Sequence, residues 1–328
     1  MTVLAELRRV WLPVLGAGLL SIVLYIVCFA FVISRPLTVD ILGEMMRIKT
    51  DYARKAGTPK IVIIAGSNAR FSHSCALIET ILGRPCANGG IHAEVSLDYM
   101  FQSFEPTLKA GDLVYLPLEY GALTVSPVAH AAMQDGGYLF RHDRVLLLAR
   151  QPREVLTTAF RFDFSYMIQG LAEMGFSAAG IARREAAVAI DLHGDALGTE
   201  DGSSYAAYLA ALPSGQLTVA QVLGRGDETG YTALLPFLAW CRAHGVRVVG
   251  GLPTVFDDTV IEPGVINGLR RLYQSVGMDF VVLPTRSQYP RRCFFDTSSH
   301  LNAACRAEHS ALVADALRPF LEATSDRK

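Results

Sequence analysis

Three short segments of this chain carry the residue types that acyl transfer needs. Gly66-Ser67-Asn68 supplies a hydroxyl where a β-branched run ends. The backbone N–H of Ser67, at a helix start, is placed to stabilise an oxyanion. Ala65 and Ala69 flank it, so it is not a G-x-S-x-G elbow. Asn88-Gly89-Gly90 joins a side-chain amide donor to glycines that let backbone N–H groups approach a ligand closely. Phe295-Asp296-Thr297-Ser298-Ser299-His300-Leu301-Asn302 holds an imidazole suited to act as general base to Ser67, with Asp296 to orient it. Each segment also has a plain structural reading. Gly-Ser is an ordinary turn plus N-cap, Gly-Gly a simple turn, and Asp296 or Asn302 a cap for the final helix. Placement at the carboxyl edges of three strands favours the chemical reading. Glu119 and Tyr120 follow another strand at that edge, to touch substrate or to pack beneath a cap. His73 and His92 either line the site or are exposed histidines at helix ends. No HExxH, paired CxxC or P-loop occurs, so neither metal nor cofactor is expected.

These segments need a scaffold that brings strand ends together. Lys60–Ala65 is β-rich without polar alternation, the pattern of a strand buried on both faces. Ser72–Leu82 reads as a helix, Pro85–Asn88 as a weak strand, Ala93–Leu108 as a helix and Leu113–Leu118 as a strand. The rhythm resumes with a helix over Tyr231–His244, a strand over Val246–Gly250, a helix over Ile261–Val276, a strand over Phe280–Leu283 and a helix over Ala303–Leu321. Strands alternating with helices predict an α/β fold with a doubly wound parallel sheet, which binds ligands beyond the carboxyl ends of its strands. Between about 121 and 227 the rhythm breaks. Val145–Ala149 and Val155–Phe160 look helical, and an aromatic-rich stretch follows from Phe160 to Met167. This is a helical insertion, read as a cap with its own small core or as a docking surface for a membrane partner or substrate.

The chain of 328 residues has 51% hydrophobic and 19% charged residues and a net charge of −1, so no basic field points to nucleic acid. Its mean hydropathy of +0.29 is high for a soluble protein. Part of the excess lies in Trp11–Ile33, an uncharged run long enough to cross a bilayer. Arg8 and Arg9 before it favour a cytoplasmic N-terminus; Arg47, Lys49, Arg54, Lys55 and Lys60 after it argue the other way but count for less, because a long folded domain can translocate despite its charge, so the domain is expected outside the cytoplasm. The expected organisation is a tail and anchor over 1–34, a stalk over 35–59 or a helix there leading into the fold, with helix formers around Leu42–Lys55, and a globular domain over 60–322. Six cysteines are present, with Cys28 in the apolar run. Outside the cytoplasm disulfides are permitted. Cys75 with Cys86 is the first expected pair and Cys293 with Cys305 the second, buried free thiols being the alternative.

On these motifs the chain resembles the SGNH (GDSL-like) hydrolase superfamily. More narrowly, it is similar to membrane-anchored SGNH-like proteins that accompany extracytoplasmic acylation of polysaccharides. Gly66-Ser67-Asn68 corresponds to the first block, Asn88-Gly89-Gly90 to the second, and Asp296 with His300 to the last. The last block is usually D-x-x-H, whereas here it is D-x-x-x-H. The third block usually supplies an oxyanion asparagine, whereas here Leu118-Glu119-Tyr120 stands. The resemblance implies a three-layer α/β/α flavodoxin-like fold and a Ser67–His300–Asp296 triad, with Gly90 giving an oxyanion N–H. It implies an inner-membrane, single-pass esterase or O-acyltransferase facing the periplasm. The expected substrate is an acyl ester or a polysaccharide acceptor, cellulose among them, and the expected partner a membrane acyltransferase or polysaccharide synthase. A non-catalytic assembly protein of such a complex is the rival, favoured by Glu119.

Overall fold

The computed structural model describes residues 3–33, 37–92, 95–125, 135–149, 152, 155–156, 164–181, 189–200, 203–226 and 229–322. The chain divides into two compact units, one of Met1–Gly43 with Gln134–Glu185 and one of Glu44–Met133 with Ala186–Lys328.

The larger unit is built on a parallel five-stranded sheet. Its strands are β1 (Ile61–Ile63), β2 (Cys86–Asn88), β3 (Leu113–Leu116), β4 (Arg247–Gly250) and β5 (Asp279–Phe280), in the order β2-β1-β3-β4-β5. Successive strand residues point to opposite faces, and every residue of β1, β2 and β3 is buried. That explains why these strands read as unbroken apolar runs. The register pairs Ile63 with both Asn88 and Tyr115. The segments following β1, β2 and β3 therefore leave the sheet side by side, at one edge.

Local chemistry adjusts the expected boundaries. The helix expected over Ser72–Leu82 is two helices, α3 (Ser67–Ser72) and α4 (Cys75–Leu82). The chain is extended at His73 and Ser74, and the Ser74 hydroxyl caps α4 by accepting from the Leu77 N–H. The helix expected over Ala93–Leu108 is α5 (Leu97–Phe104) followed by one 3₁₀ turn, Glu105–Thr107, with Pro106 at its start. Of Phe280–Leu283 only Phe280 joins the sheet. The helices Thr229–Ala243, Pro263–Ser275 and Ala303–Glu322 match expectation within a few residues. The expected helix Val155–Phe160 falls mainly outside the described residues.

Of the two readings of 35–59, the structure shows the helix leading into the fold. Helix α2 runs over Leu37–Lys55, and from Glu44 onward it belongs to the larger unit. Met45, Met46, Lys49, Thr50 and Ala53 recur on one helical face, and all are buried. The insertion also divides: Gln134–Glu185 joins the N-terminal unit, and the chain from Ala186 returns to the sheet unit.

The smaller unit contains α1 (Val3–Cys28), continued by a π-helical turn at Phe29–Ile33. Over Arg9–Val32 it is long and apolar enough to cross a membrane. The Phe29 ring meets Phe140 edge-on with centroids 5.0 Å apart. Gly170, in the helix Phe164–Ala178, lies so close to the Val32 carbonyl that a side chain would not fit. Val145, Leu148, Ile168 and Leu171 of this unit are exposed.

Candidate active site

Ser67 begins α3 immediately beyond β1, with its side chain partly exposed. Everything around it serves to hold this short helix. Asn68, fully buried, donates from Nδ2 to Thr254 Oγ1 at 2.8 Å and to the Ser299 carbonyl at 2.8 Å. Ser72, one turn on, shares a hydrogen bond with Thr254 Oγ1 at 2.8 Å and accepts from the Leu301 N–H at 3.1 Å. Asn68 and Ser72 are four residues apart, so one face of α3 grips the loop that carries His300.

That loop is itself a closed hairpin. The Asn302 N–H donates to the Cys293 carbonyl and the Phe295 N–H to the His300 carbonyl, each at 2.8 Å. A disulfide between Cys293 and Cys305 ties its base to the final helix. The tip spans 296–299, which places Asp296 and His300 at its two ends. His300 Nδ1 lies 2.7 Å from Asp296 Oδ1. The D-x-x-x-H spacing is thus set by hairpin closure, and the pair forms despite the extra residue. Phe71 stacks on the His300 ring at 4.1 Å and 15°. His300 is 8% exposed, and its Nε2 makes no hydrogen bond among the described residues. Ser67 Oγ likewise makes none, so the expected contact from Ser67 to His300 is not formed in this state.

The second block does something other than expected. Asn88 Nδ2 donates to the carbonyls of Ala69 and His73, at 3.0 and 3.1 Å, and to Asp195 Oδ1 at 2.9 Å. Asn88 Oδ1 accepts from the Gly90 N–H at 3.0 Å. The N–H groups of Gly89 and Ile91 go to the carbonyls of Ile63 and Ala65. None of these donors is open to an oxyanion, so the block is a clamp on α3. Gly90 is required for a different reason: a Cβ there would meet the Arg70 nitrogen at 2.2 Å. Lys49 completes the clamp from α2, donating to the carbonyls of Asn88 at 2.9 Å and Gly194 at 2.5 Å. Burial, followed by the charge of Arg70, lowers its pKa to about 7.

Glu119 stands where the resemblance leads one to expect an asparagine. Its two carboxylate oxygens accept from the N–H groups of Gly66 and Asn68, each at 3.0 Å. Removal from water raises its pKa; the two N–H donors and the charge of His300 oppose that rise. The N–H groups either side of Ser67 are therefore taken. Tyr120 is buried with no partner for its hydroxyl, and burial pushes that hydroxyl up.

His73 corrects its plainer reading as an exposed helix-end residue. It ends α3 but is fully buried, with Nε2 3.2 Å from His309 Nε2, and His309 Nδ1 is 2.9 Å from the Tyr289 hydroxyl. Burial lowers the pKa of His73 to about 4. His92 is partly buried.

The sequence reading passed over Arg70 and Phe71. They stand three and four residues after Ser67, which places all three on one face of a helix. The signal was obscured because the helix was expected to begin at Ser72. Both expected disulfides, Cys75–Cys86 and Cys293–Cys305, are present. The first ties α4 to β2 and the second secures the histidine hairpin. Among the described residues no cluster of side chains suits a metal ion. In comparison with known proteins, the chain matches no family model, no curated protein and no solved structure.

Proposed function

We propose that this chain is a membrane-anchored, SGNH-like serine esterase or O-acyltransferase that acts outside the cytoplasm on O-acyl groups of a polysaccharide. The observation that carries the reading is the His300–Asp296 pair at 2.7 Å, held by a hairpin docked on the helix that begins with Ser67. In the mechanism, Ser67 Oγ attacks the acyl carbonyl and His300 Nε2 takes its proton. Asp296 accepts from Nδ1–H and so sets the tautomer that leaves Nε2 basic. Ser67 turns about its Cα–Cβ bond to reach Nε2 when substrate arrives, since such contacts tighten in the complex. The ester C–O bond then breaks, and the leaving alcohol takes the proton from His300 Nε2. His300 next draws a proton from water or a sugar hydroxyl, which attacks the acyl-serine, and Ser67 leaves with that proton. Neither metal nor cofactor enters these steps. The sheet order and the helices between the strands suit a three-layer SGNH arrangement. Two disulfides suit an oxidising compartment such as the periplasm. The exposed Val145, Leu148, Ile168 and Leu171, in the unit of the apolar helix, suit a membrane surface.

A second reading, an assembly protein that keeps the fold without the chemistry, is favoured by Glu119. A carboxylate on the N–H groups of Gly66 and Asn68 places negative charge where an acyl-transfer site needs positive potential. Hydrolysis of 4-nitrophenyl acetate by the full-length protein in detergent separates the two. The enzyme reading expects turnover that Ser67→Ala abolishes without lowering the unfolding midpoint. Turnover unchanged in Ser67→Ala, together with intact polymer acylation in cells, gives the place to the assembly reading.

A further inference from the structure

Arg70 is the one strongly cationic side chain on the Ser67 face of α3, and among the described residues its guanidinium has no hydrogen-bond partner. Its Nε is sealed from solvent without an acceptor. The guanidinium carbon stands 4.8 Å over the Phe71 ring, whose neighbour is the His300 ring at 4.1 Å. An arginine stays charged in such a place and carries five donors in a planar fork. Leaving a buried donor unpaired costs free energy, so such a group calls for an explanation, and a bound ligand is one. Asp296 acts on the guanidinium through space, but its Oδ1 is engaged by His300. Lys49 lies close enough to Arg70 to feel its positive charge, so a second basic side chain stands on this side of the clamp. Gly90 packs against the Arg70 backbone and holds the residue in place beside Ser67.

We propose that Arg70 is the anion-recognising residue of the Ser67–His300 site, which selects substrates bearing a carboxylate or phosphate next to the reacting acyl group. The guanidinium fork suits two parallel hydrogen bonds to such an anion. Phe71 offers a flat apolar wall between that anion and His300. The proposal deepens the acyl-transfer reading and takes the position of the site from it. Anion binding itself does not need Ser67 to react, so the two readings fail separately.

Ligand-observed NMR on the full-length protein in detergent tests it, with sodium glucuronate, inorganic phosphate and glucose as probes. Wild type and Ser67→Ala should bind glucuronate or phosphate in preference to glucose. The stronger of the two anions identifies the group recognised. Arg70→Gln should weaken that binding about tenfold or more, as expected for a lost charge-assisted hydrogen bond. Arg70→Lys, which keeps charge but not the fork, should fall between them, and both variants should keep the wild-type unfolding midpoint. Two results overturn the proposal: anions binding no better than glucose, or Arg70→Gln binding them as well as wild type. If 4-nitrophenyl acetate turnover drops in Arg70→Gln as much as anion binding does, Arg70 serves the reacting centre generally and substrate selection is refuted.

Discussion

Replacing Lys49 by methionine should leave stability near neutral pH little changed, yet flatten its rise with pH. Lys49 is 1% exposed, and its pKa falls from 10.5 to about 7, chiefly because burial penalises the ammonium. At about 1.4 kcal/mol per pKa unit, the charged form costs on the order of 4–5 kcal/mol in the fold. The sign follows from proton uptake. Below pH 7 both folded and unfolded chains hold the proton, and the cost is present in full. Between pH 7 and 10.5 the unfolded chain holds a proton that the folded chain has released, so stability rises by up to about 1.4 kcal/mol per pH unit. Lys49 alone should therefore add about 2 kcal/mol between pH 7 and 9. Methionine removes the charge but leaves the carbonyls of Asn88 and Gly194 without that donor, at about 1–3 kcal/mol each. Gain and loss nearly cancel at neutral pH, which makes the slope the informative quantity. The assay is urea unfolding of the full-length protein in detergent at pH 7, 8 and 9, for wild type and Lys49→Met. A slope equally steep in the variant would refute the reasoning, because some other group would then be titrating.

Asp296→Asn should reduce ester turnover by a factor on the order of 10³ through the wrong imidazole tautomer, read as kcat/KM for 4-nitrophenyl acetate; undiminished turnover would remove Asp296 from the mechanism. Asn88→Ala should lower stability by about 2–4 kcal/mol in urea unfolding, since one fully buried amide serves Ala69, His73, Asp195 and Gly90. Acid should also destabilise the fold: the pKa of His73 falls from 6.5 to about 4, and burial lowers that of His309 well below 6.5 as well. From pH 6.5 down to 4 the unfolded chain takes up protons that these residues refuse, so stability falls with pH. The loss over that window should be roughly halved in His309→Gln.

The sequence by itself determined a good deal here. Ile61-Val62-Ile63 and Leu113-Val114-Tyr115-Leu116 announce buried parallel strands, because a strand covered on both faces has no reason to alternate. The uncharged run Trp11–Ile33 announces a helix fit to cross a membrane, because the length of an apolar stretch is readable directly. The Asp296–His300 pair was legible because both residues fall in the short segment between the last strand and the last helix. What each polar group does with its neighbours was decided by the tertiary structure. Asn88 and Gly90 have the composition of an oxyanion loop, but their donors are satisfied by α3 and by each other, a matter of packing across 19 residues of chain. Lys49 reads in sequence as one of the positive charges after the apolar run, and only the packing of α2 turns it inward onto two carbonyls. Glu119 reads as a substitution for an asparagine, and only the fold carries its carboxylate onto the N–H groups beside Ser67. Periodicity reports which face of an element is buried. Which partner a buried polar group finds there depends on contacts between distant segments, and no local pattern encodes those.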